Sequence, residues 1–349
     1  MSEAEIGCEK IGHCGVITLD RPRVLNALSS AMVTGMARAL DAFAKDEAIG
    51  CVVVRSTSAA AFCAGADIKR VAELGIEGKH AEQLAFLRTE YQNCHRIKFY
   101  PKPYVALIDG IVMGGGAGIG VNGAYRVVGE RVTFAMPEVG IGFFPDVGSS
   151  YFLSRLPARI GTYLAVTGVR VALGDVVALG LANAHVPAER FDALFERLVT
   201  GEAVERAIAA EASTPPASEL LQNRDLIARC FGAPNLAGIF AALEDTDAPF
   251  AQSALALMKT RSPTSMALAL RQMQIGPALG FAEALRMEYR IANRIVHGHD
   301  FYEGVRAVLV AKDHAPNWQP PSIREVTEAE IGAYFAPQAE ELVLTEGAA

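Results

Sequence analysis

The chain has 349 residues, 51% hydrophobic and 20% charged, and its 32 Lys and Arg against 39 Asp and Glu leave a net charge of −7. Such an acidic balance argues against nucleic acid or an anionic membrane surface as a partner, and the apolar half of the composition excludes a disordered chain. Six scattered cysteines without a CxxC pair read as reduced thiols, and MSEAEIGCEK has the form of neither a signal nor a transit peptide, so a cytoplasmic setting is expected.

In chain order, GVITLD at 15–20 predicts a strand, followed by the turn-prone RPR. Met32, Val33, Met36, Leu40 and Phe43 then recur at helical spacing behind Ser29 or Ser30, either of which can cap the free amides. CVVVR at 51–55 predicts a buried strand, as do YVALID at 104–109, YRVV at 125–128 and VTFA at 132–135, each beside a glycine-containing loop. This alternation is that of an α/β protein. After Ala182 the strand signals fade, STPPAS at 213–218 has the composition of a linker, and the chain from Glu219 is largely helical before a polar tail. Glu283, Arg286, Glu288 and Arg290 are expected on a solvated helix face without chemistry.

Three segments could carry chemistry. MGGGAGIGVNG at 113–123 holds six glycines in eleven residues after a buried strand, which implies close backbone approach to a ligand or to the protein itself. It contains a formal GxGxxG, Gly118 to Gly123, yet the strand-like YRVVGERVTFA that follows leaves no room for the crossover helix of a dinucleotide site. AAAFCAGADIK at 59–69 would expose backbone amides just before a helix start, so the N–H groups near Ala66 and near Gly115 could together hold a developing oxyanion. In FAMPEVGIGFFPDVGSSYF at 134–152, Glu138 and Asp146 stand in apolar company. A buried carboxylate must be bonded, paired or employed, so the two are either general acid–base groups or partners of helix amides, Arg126 or Arg131. No P-loop, nucleophile elbow or HExxH is present, and the His297, His299 and Asp300 cluster reads as a solvated helix end, so no metal is expected.

In order and spacing, RPRVLNAL, FCAGADIK and GIVMGGGAGIG resemble the crotonase (enoyl-CoA hydratase/isomerase) superfamily. The likeness extends over 16–320 and is closer to its 3-hydroxyisobutyryl-CoA hydrolase branch, through FAMPEVGIGFFPDVGSSYFLSRL, RMEYRIA and FYEGVRAVLVAKDHAPNWQP. The resemblance implies an α/β spiral of repeated ββα units over 1–214 carrying the acyl-CoA site, and a mainly helical region over 215–349. It implies an acyl-CoA substrate, no cofactor apart from the CoA of that substrate, and a homo-oligomer, trimer or hexamer. By the same resemblance Glu138, Asp146 and Glu90 are the catalytic acids and Ala66 and Gly115 the oxyanion donors. Arg23, Val24, Leu25, Ala64, Asp67 and Ile68 line the CoA path. Hydratases of the superfamily carry an acid where this chain has Gly118 and usually Gly where it has Asp146, so both departures favour hydrolysis of a 3-hydroxyacyl-CoA, with 3-hydroxyisobutyryl-CoA of valine catabolism first. Ala66, in place of the glycine of many hydrolases, is hydratase-like but contributes only a backbone N–H. A hydratase or isomerase using Glu138 is the alternative, ahead of a non-catalytic CoA-binding homologue or an NAD-binding enzyme.

Overall fold

In the computed structural model, which describes residues 5–344, two sheets rise side by side through the first half of the chain. The strands are β1 (Ile6–Ile11), β2 (Cys14–Leu19), β3 (Cys51–Ser56), β4 (Ala61–Cys63), β5 (Tyr104–Ile108), β6 (Ile111–Met113), β7 (Tyr125–Val128), β8 (Thr133–Ala135), β9 (Val171–Ala172) and β10 (Ala184–His185). The larger sheet has the order β1-β2-β3-β5-β7-β10 and the smaller one β4-β6-β8-β9. The pairs β1/β2 and β8/β9 are antiparallel and the others parallel. Three successive turns, β3–β4, β5–β6 and β7–β8, each contribute one strand to the first sheet, one short strand to the second, and then a helix or helical turn. The short strands AFC and IVM lie below the length at which alternation is readable, which is why the sequence did not announce them.

Period-two alternation decides where the core sits. Val52, Val54, Tyr104, Ala106 and Ile108 face the main core, while Cys51, Val53, Val105 and Leu107 face a second one that also takes in Leu194, Leu198 and Ala207 of later helices. Both sheet faces are covered, as a largely parallel sheet requires. Helix α1 (Ser30–Lys45) starts at Ser29, whose hydroxyl accepts the Met32 amide at 3.2 Å. Helices α2 (Ile68–Ile76) and α3 (His80–Lys98) follow β4. The glycine run, expected as a loop, instead forms the short buried helix α4 (Gly115–Gly120).

Beyond β10 the described chain is helical. Helix Pro263–Ile275 packs on Ile160–Thr167, and helix Phe281–Ile295 packs on α3, so one apolar core runs from Ile17 to Leu344. The tail expected to be polar is anchored by buried Trp318 and by helix Glu328–Phe335, whose Thr327 and Glu330 form a capping box and whose Ile331 is buried. Among the described residues no helix is long and apolar enough to cross a membrane.

Candidate active site

Strands β4, β6 and β8 are consecutive neighbours of the small sheet, and all three run parallel. Their carboxyl ends therefore open on the same edge, the usual place for a ligand crevice in such a sheet. Ala66 follows β4, Gly115 follows β6 and Glu138 follows β8. The amide orientations follow from the hydrogen bonding around Ala66. Leu28 donates to the Gly65 carbonyl at 2.8 Å and Asp67 donates to the Leu28 carbonyl at 2.9 Å, so in this extended segment the intervening Ala66 N–H points to the opposite side. That side is occupied by Gly115, the first residue of α4, whose N–H has no intrahelical partner and whose N-cap, Gly114, supplies no side-chain acceptor. Gly65 has φ +113°, and a Cβ there would lie 3.2 Å from the Met113 carbonyl oxygen, so the approach of the two loops requires glycine.

These segments line a pocket of about 80 Å³, formed by Ala64, Ala66, Ile68, Leu87, Ile141 and Phe143 together with Glu90, Glu138 and Asp146. Wider surface grooves, such as the one bordered by Asp109 and Arg131, hold ion-paired charges instead of buried acids. Glu138 opens the 3-10 turn Glu138–Ile141 and is 6% exposed, Glu90 of α3 is 2% exposed, and Asp146 is 5% exposed. Among the described residues Glu90 Oε1 and Glu138 Oε2 have no hydrogen-bond partner, whereas Asp146 accepts the Tyr91 hydroxyl at 2.8 Å. No cation among the described residues offsets the three acids. Burial raises the Glu138 and Glu90 carboxyls well above the usual range, and the charge of Asp146 raises them further. Burial pushes Asp146 itself up to about 7, against the pull of the Tyr91 hydrogen bond.

Directly after Asp146 the backbone forms a turn closed by Ser149 N to the Asp146 carbonyl at 2.9 Å, with φ +53° at Val147 and +93° at Gly148. Both central residues are left-handed, a turn type that suits Asn-Gly, and a β-branched residue in this region costs on the order of 1–3 kcal/mol. Buried polar side chains from distant elements hold it. Asn122 Nδ2 donates to the Val147 carbonyl at 2.9 Å, and Gln272 Nε2 donates to the Pro145 carbonyl and Ser150 Oγ, both at 2.8 Å. Glu288 accepts the amides of Gly148 at 2.7 Å and Ser150 at 2.9 Å.

The position of Glu288 corrects the expectation of a solvated helix face, because it is fully buried and its carboxyl is pushed up to about 8 by that burial. The signal lay in the sequence. Phe281, Ala284, Leu285, Ile291, Ala292 and Ile295 form the buried stripe of this helix, and position 288 falls within it at helical spacing.

A pH dependence of stability follows from the raised values. For Asp146 and Glu288 the folded state holds the proton at pH values where the unfolded chain, with carboxyls near pH ~4, has lost it. Their contribution is thus fully present below about pH 4 and is lost as pH rises through the folded values of about 7 and about 8. The melting temperature is expected to fall between pH 5.5 and 8.5, a window about centred on these values, in calorimetric scans at constant ionic strength. A flat profile would mean that these acids are ionised in the fold across the whole window.

The remaining expected residues divide. Ala64 and Ile68 line the pocket. Arg23, Val24 and Leu25 lie exposed outside it, joined to it where the Ala64 amide donates to the Leu25 carbonyl at 2.9 Å. The Asp67 carboxylate is taken by Arg21 at 2.8 Å and by the Arg70 amide at the start of α2. Arg126 bonds main-chain carbonyls and Arg131 bonds Asp109, so neither partners Glu138 or Asp146. A Cβ at Gly118 would lie 2.8 Å from Val147 Cβ and 2.9 Å from Cys94 Sγ, so the glycine run serves internal packing and leaves no space for an acid there. Asp300 is buried and accepts Ser262 Oγ at 2.6 Å and the Gln319 amide at 2.7 Å, in place of the solvated cluster expected.

Residues 14–335 match the enoyl-CoA hydratase/isomerase family. The chain is 40% identical, over 95% of its length and 89% of the relative's, to the mitochondrial 3-hydroxyisobutyryl-CoA hydrolase of Rattus norvegicus. Among solved structures it is similar to a carnitinyl-CoA dehydratase from Mycobacterium thermoresistibile, at TM-score 0.94 and 39% identity, covering 98% of this chain and 99% of that one. It is also similar to an enoyl-CoA hydratase from Rhodobacter sphaeroides 2.4.1, at TM-score 0.92 and 37% identity, covering 97% and 100%. The mitochondrial relative overturns the cytoplasmic expectation. Free cysteines, five of the six buried, do not single out the cytoplasm.

Proposed function

The chain belongs to the enoyl-CoA hydratase/isomerase family, and from that membership we propose that it hydrolyses a 3-hydroxyacyl-CoA thioester, 3-hydroxyisobutyryl-CoA, to 3-hydroxyisobutyrate and CoA in valine catabolism. The observation that carries this reading is the meeting of the buried Glu138 and Asp146 in one pocket beside the Ala66 and Gly115 amides, with the space at Gly118 filled by Val147 and Cys94.

The thioester carbonyl oxygen accepts from the amides of Ala66 and Gly115, which stabilise the oxyanion; one such donor is worth about 2.7–4 kcal/mol. Two routes then start from ionised Glu138. In one, its oxygen bonds to the acyl carbon, the C–S bond breaks, and water opens the resulting anhydride. In the other, Glu138 takes a proton from a water whose oxygen makes the same attack. In both, the departing CoA thiolate collects a proton. The raised affinity of Glu138 for protons makes it a stronger base than a free carboxylate once ionised. Asp146 and Glu90 orient the 3-hydroxyl and pass protons, and Arg23, Val24, Leu25, Ala64, Asp67 and Ile68 border the CoA path. The CoA of the substrate is the sole cofactor of this scheme. A spiral unit over 1–214 with a helical region over 215–349, assembled as a trimer or hexamer, is part of the same proposal.

The test is thiol release from 3-hydroxyisobutyryl-CoA by the purified protein, with crotonyl-CoA absorbance followed in parallel. Thiol release is expected, and Asp146→Asn is expected to lower its kcat by about two orders of magnitude. The names of the two solved relatives favour a second reading, hydration or isomerisation by Glu138. Loss of crotonyl-CoA absorbance without thiol would select it.

A further inference from the structure

Behind the pocket, helix Phe281–Ile295 reaches the catalytic loop through a buried acid that the proposed chemistry leaves unused. We infer that Glu288 is a positioning residue for Asp146, holding the left-handed turn at Val147 and Gly148 so that the second acid faces the thioester. The inference rests on the reading of Asp146 in thioester hydrolysis.

The geometry is that of a clamp. The Gly148 and Ser150 amides lie two residues apart, just beyond Asp146, and each meets a different oxygen of the Glu288 carboxyl, at 2.7 and 2.9 Å. Val147, between Asp146 and the first of these amides, sits at φ +53°, a conformation that an unsupported chain would leave. Gln272 fixes the residue before Asp146 and Asn122 the residue after it, so Glu288 completes the hold on the far side of the turn. Within the pocket, Tyr91 binds the Asp146 carboxyl, and its ring meets the Tyr289 ring edge-on at 6.2 Å, next in sequence to Glu288. One helix therefore supports both the backbone of Asp146 and the phenol that orients its side chain. Two amides could be satisfied by neutral acceptors at lower desolvation cost. The carboxyl of Glu288, however, presents two oxygens in one rigid plane, one to each amide, which fixes the turn rather than merely bonding it.

Glu288→Gln preserves volume while turning an NH2 group toward one of the two amides. It is expected to lower kcat for 3-hydroxyisobutyryl-CoA by about ten- to a hundredfold, with KM within about twofold. The preference for this thioester over the analogue lacking the 3-hydroxyl should fall toward that of Asp146→Asn. In the Asp146→Asn background the same substitution should have no further effect on kcat, because it acts through the missing acid. Equal losses on both thioesters, or effects of the two substitutions that simply multiply, would overturn the positioning role and leave a structural one. Wild-type protein that binds the thioester but releases no thiol would overturn the reading of the reaction and this inference with it. If Glu288→Gln does not fold, Glu288→Asp, which keeps the carboxyl group and withdraws it by one methylene, is read by the same measurements.

Discussion

Replacing Glu138 by Gln is expected to reduce thiol release by about three orders of magnitude while changing acyl-CoA affinity by no more than about twofold. The side chain is buried, its Oε2 has no partner among the described residues, and it starts the turn that follows β8 at the edge where the oxyanion amides lie. Gln fills the same volume but can neither attack the thioester nor take a proton from water. The substitution also separates activity from stability. Burial and the charge of Asp146 disfavour ionised Glu138, so removing that ionisation should leave the melting temperature at pH 8 equal to or above that of the wild type. Single-turnover kinetics, calorimetric titration with acyl-CoA and thermal scans check the three parts, and a Gln variant that turns over normally would remove Glu138 from the chemistry.

Gly115→Ala is expected to cost about two to three orders of magnitude in kcat/KM with little loss of stability. Gly115 has no left-handed backbone to protect, so the effect is one of space. The added methyl would stand 3.1 Å from the Ala66 nitrogen, where the carbonyl oxygen must sit, and would collide with Glu90 Oε1. That oxygen is the end of a flexible side chain and can move aside, so the fold tolerates the change while the oxyanion site does not. Gly116→Ala is the informative contrast. Its Cβ would collide with the Cys63 carbonyl oxygen, main chain that cannot step away, and destabilisation is expected there instead. A steady-state assay beside a thermal melt distinguishes the two variants. If Gly115→Ala retains full activity, the carbonyl oxygen binds elsewhere.

The buried acids explain why these effects concentrate in so small a volume. Glu90, Glu138, Asp146 and Glu288 are all shielded from water; the charge of Asp146 raises the proton affinity of the other three, and those of Glu90 and Glu288 raise that of Glu138. Such a cluster destabilises the fold as pH rises, and the same destabilisation supplies groups that exchange protons near neutrality.

Much of this was legible in the sequence because it depends on local order. The strands at 51–55 and 104–109 follow from unbroken apolar runs, and α1 follows from helical spacing behind a Ser cap, since side-chain period and capping are properties of neighbouring residues. Glu138 and Asp146 stood out because a carboxylate among Phe, Pro and Gly conflicts with its surroundings wherever the chain goes. The family motifs named the donors at Ala66 and Gly115, but not that their amides face each other, which depends on β4 and β6 pairing in a second sheet. Nor could spacing decide between ligand approach and internal packing for the glycine run; Val147 and Cys94 against Gly118, and the Cys63 carbonyl against Gly116, decided it for packing at those two positions, whereas Gly115 borders the Ala66 amide. Glu90 looked like an ordinary helix charge, and Glu288 like a solvated one. Composition, charge, local elements and the identity of the conspicuous acids were thus determined by the sequence itself. Which acids share a pocket, and which helix holds the turn at Asp146, was decided only by the tertiary structure, because those contacts join residues more than fifty positions apart whose adjacency no local pattern encodes.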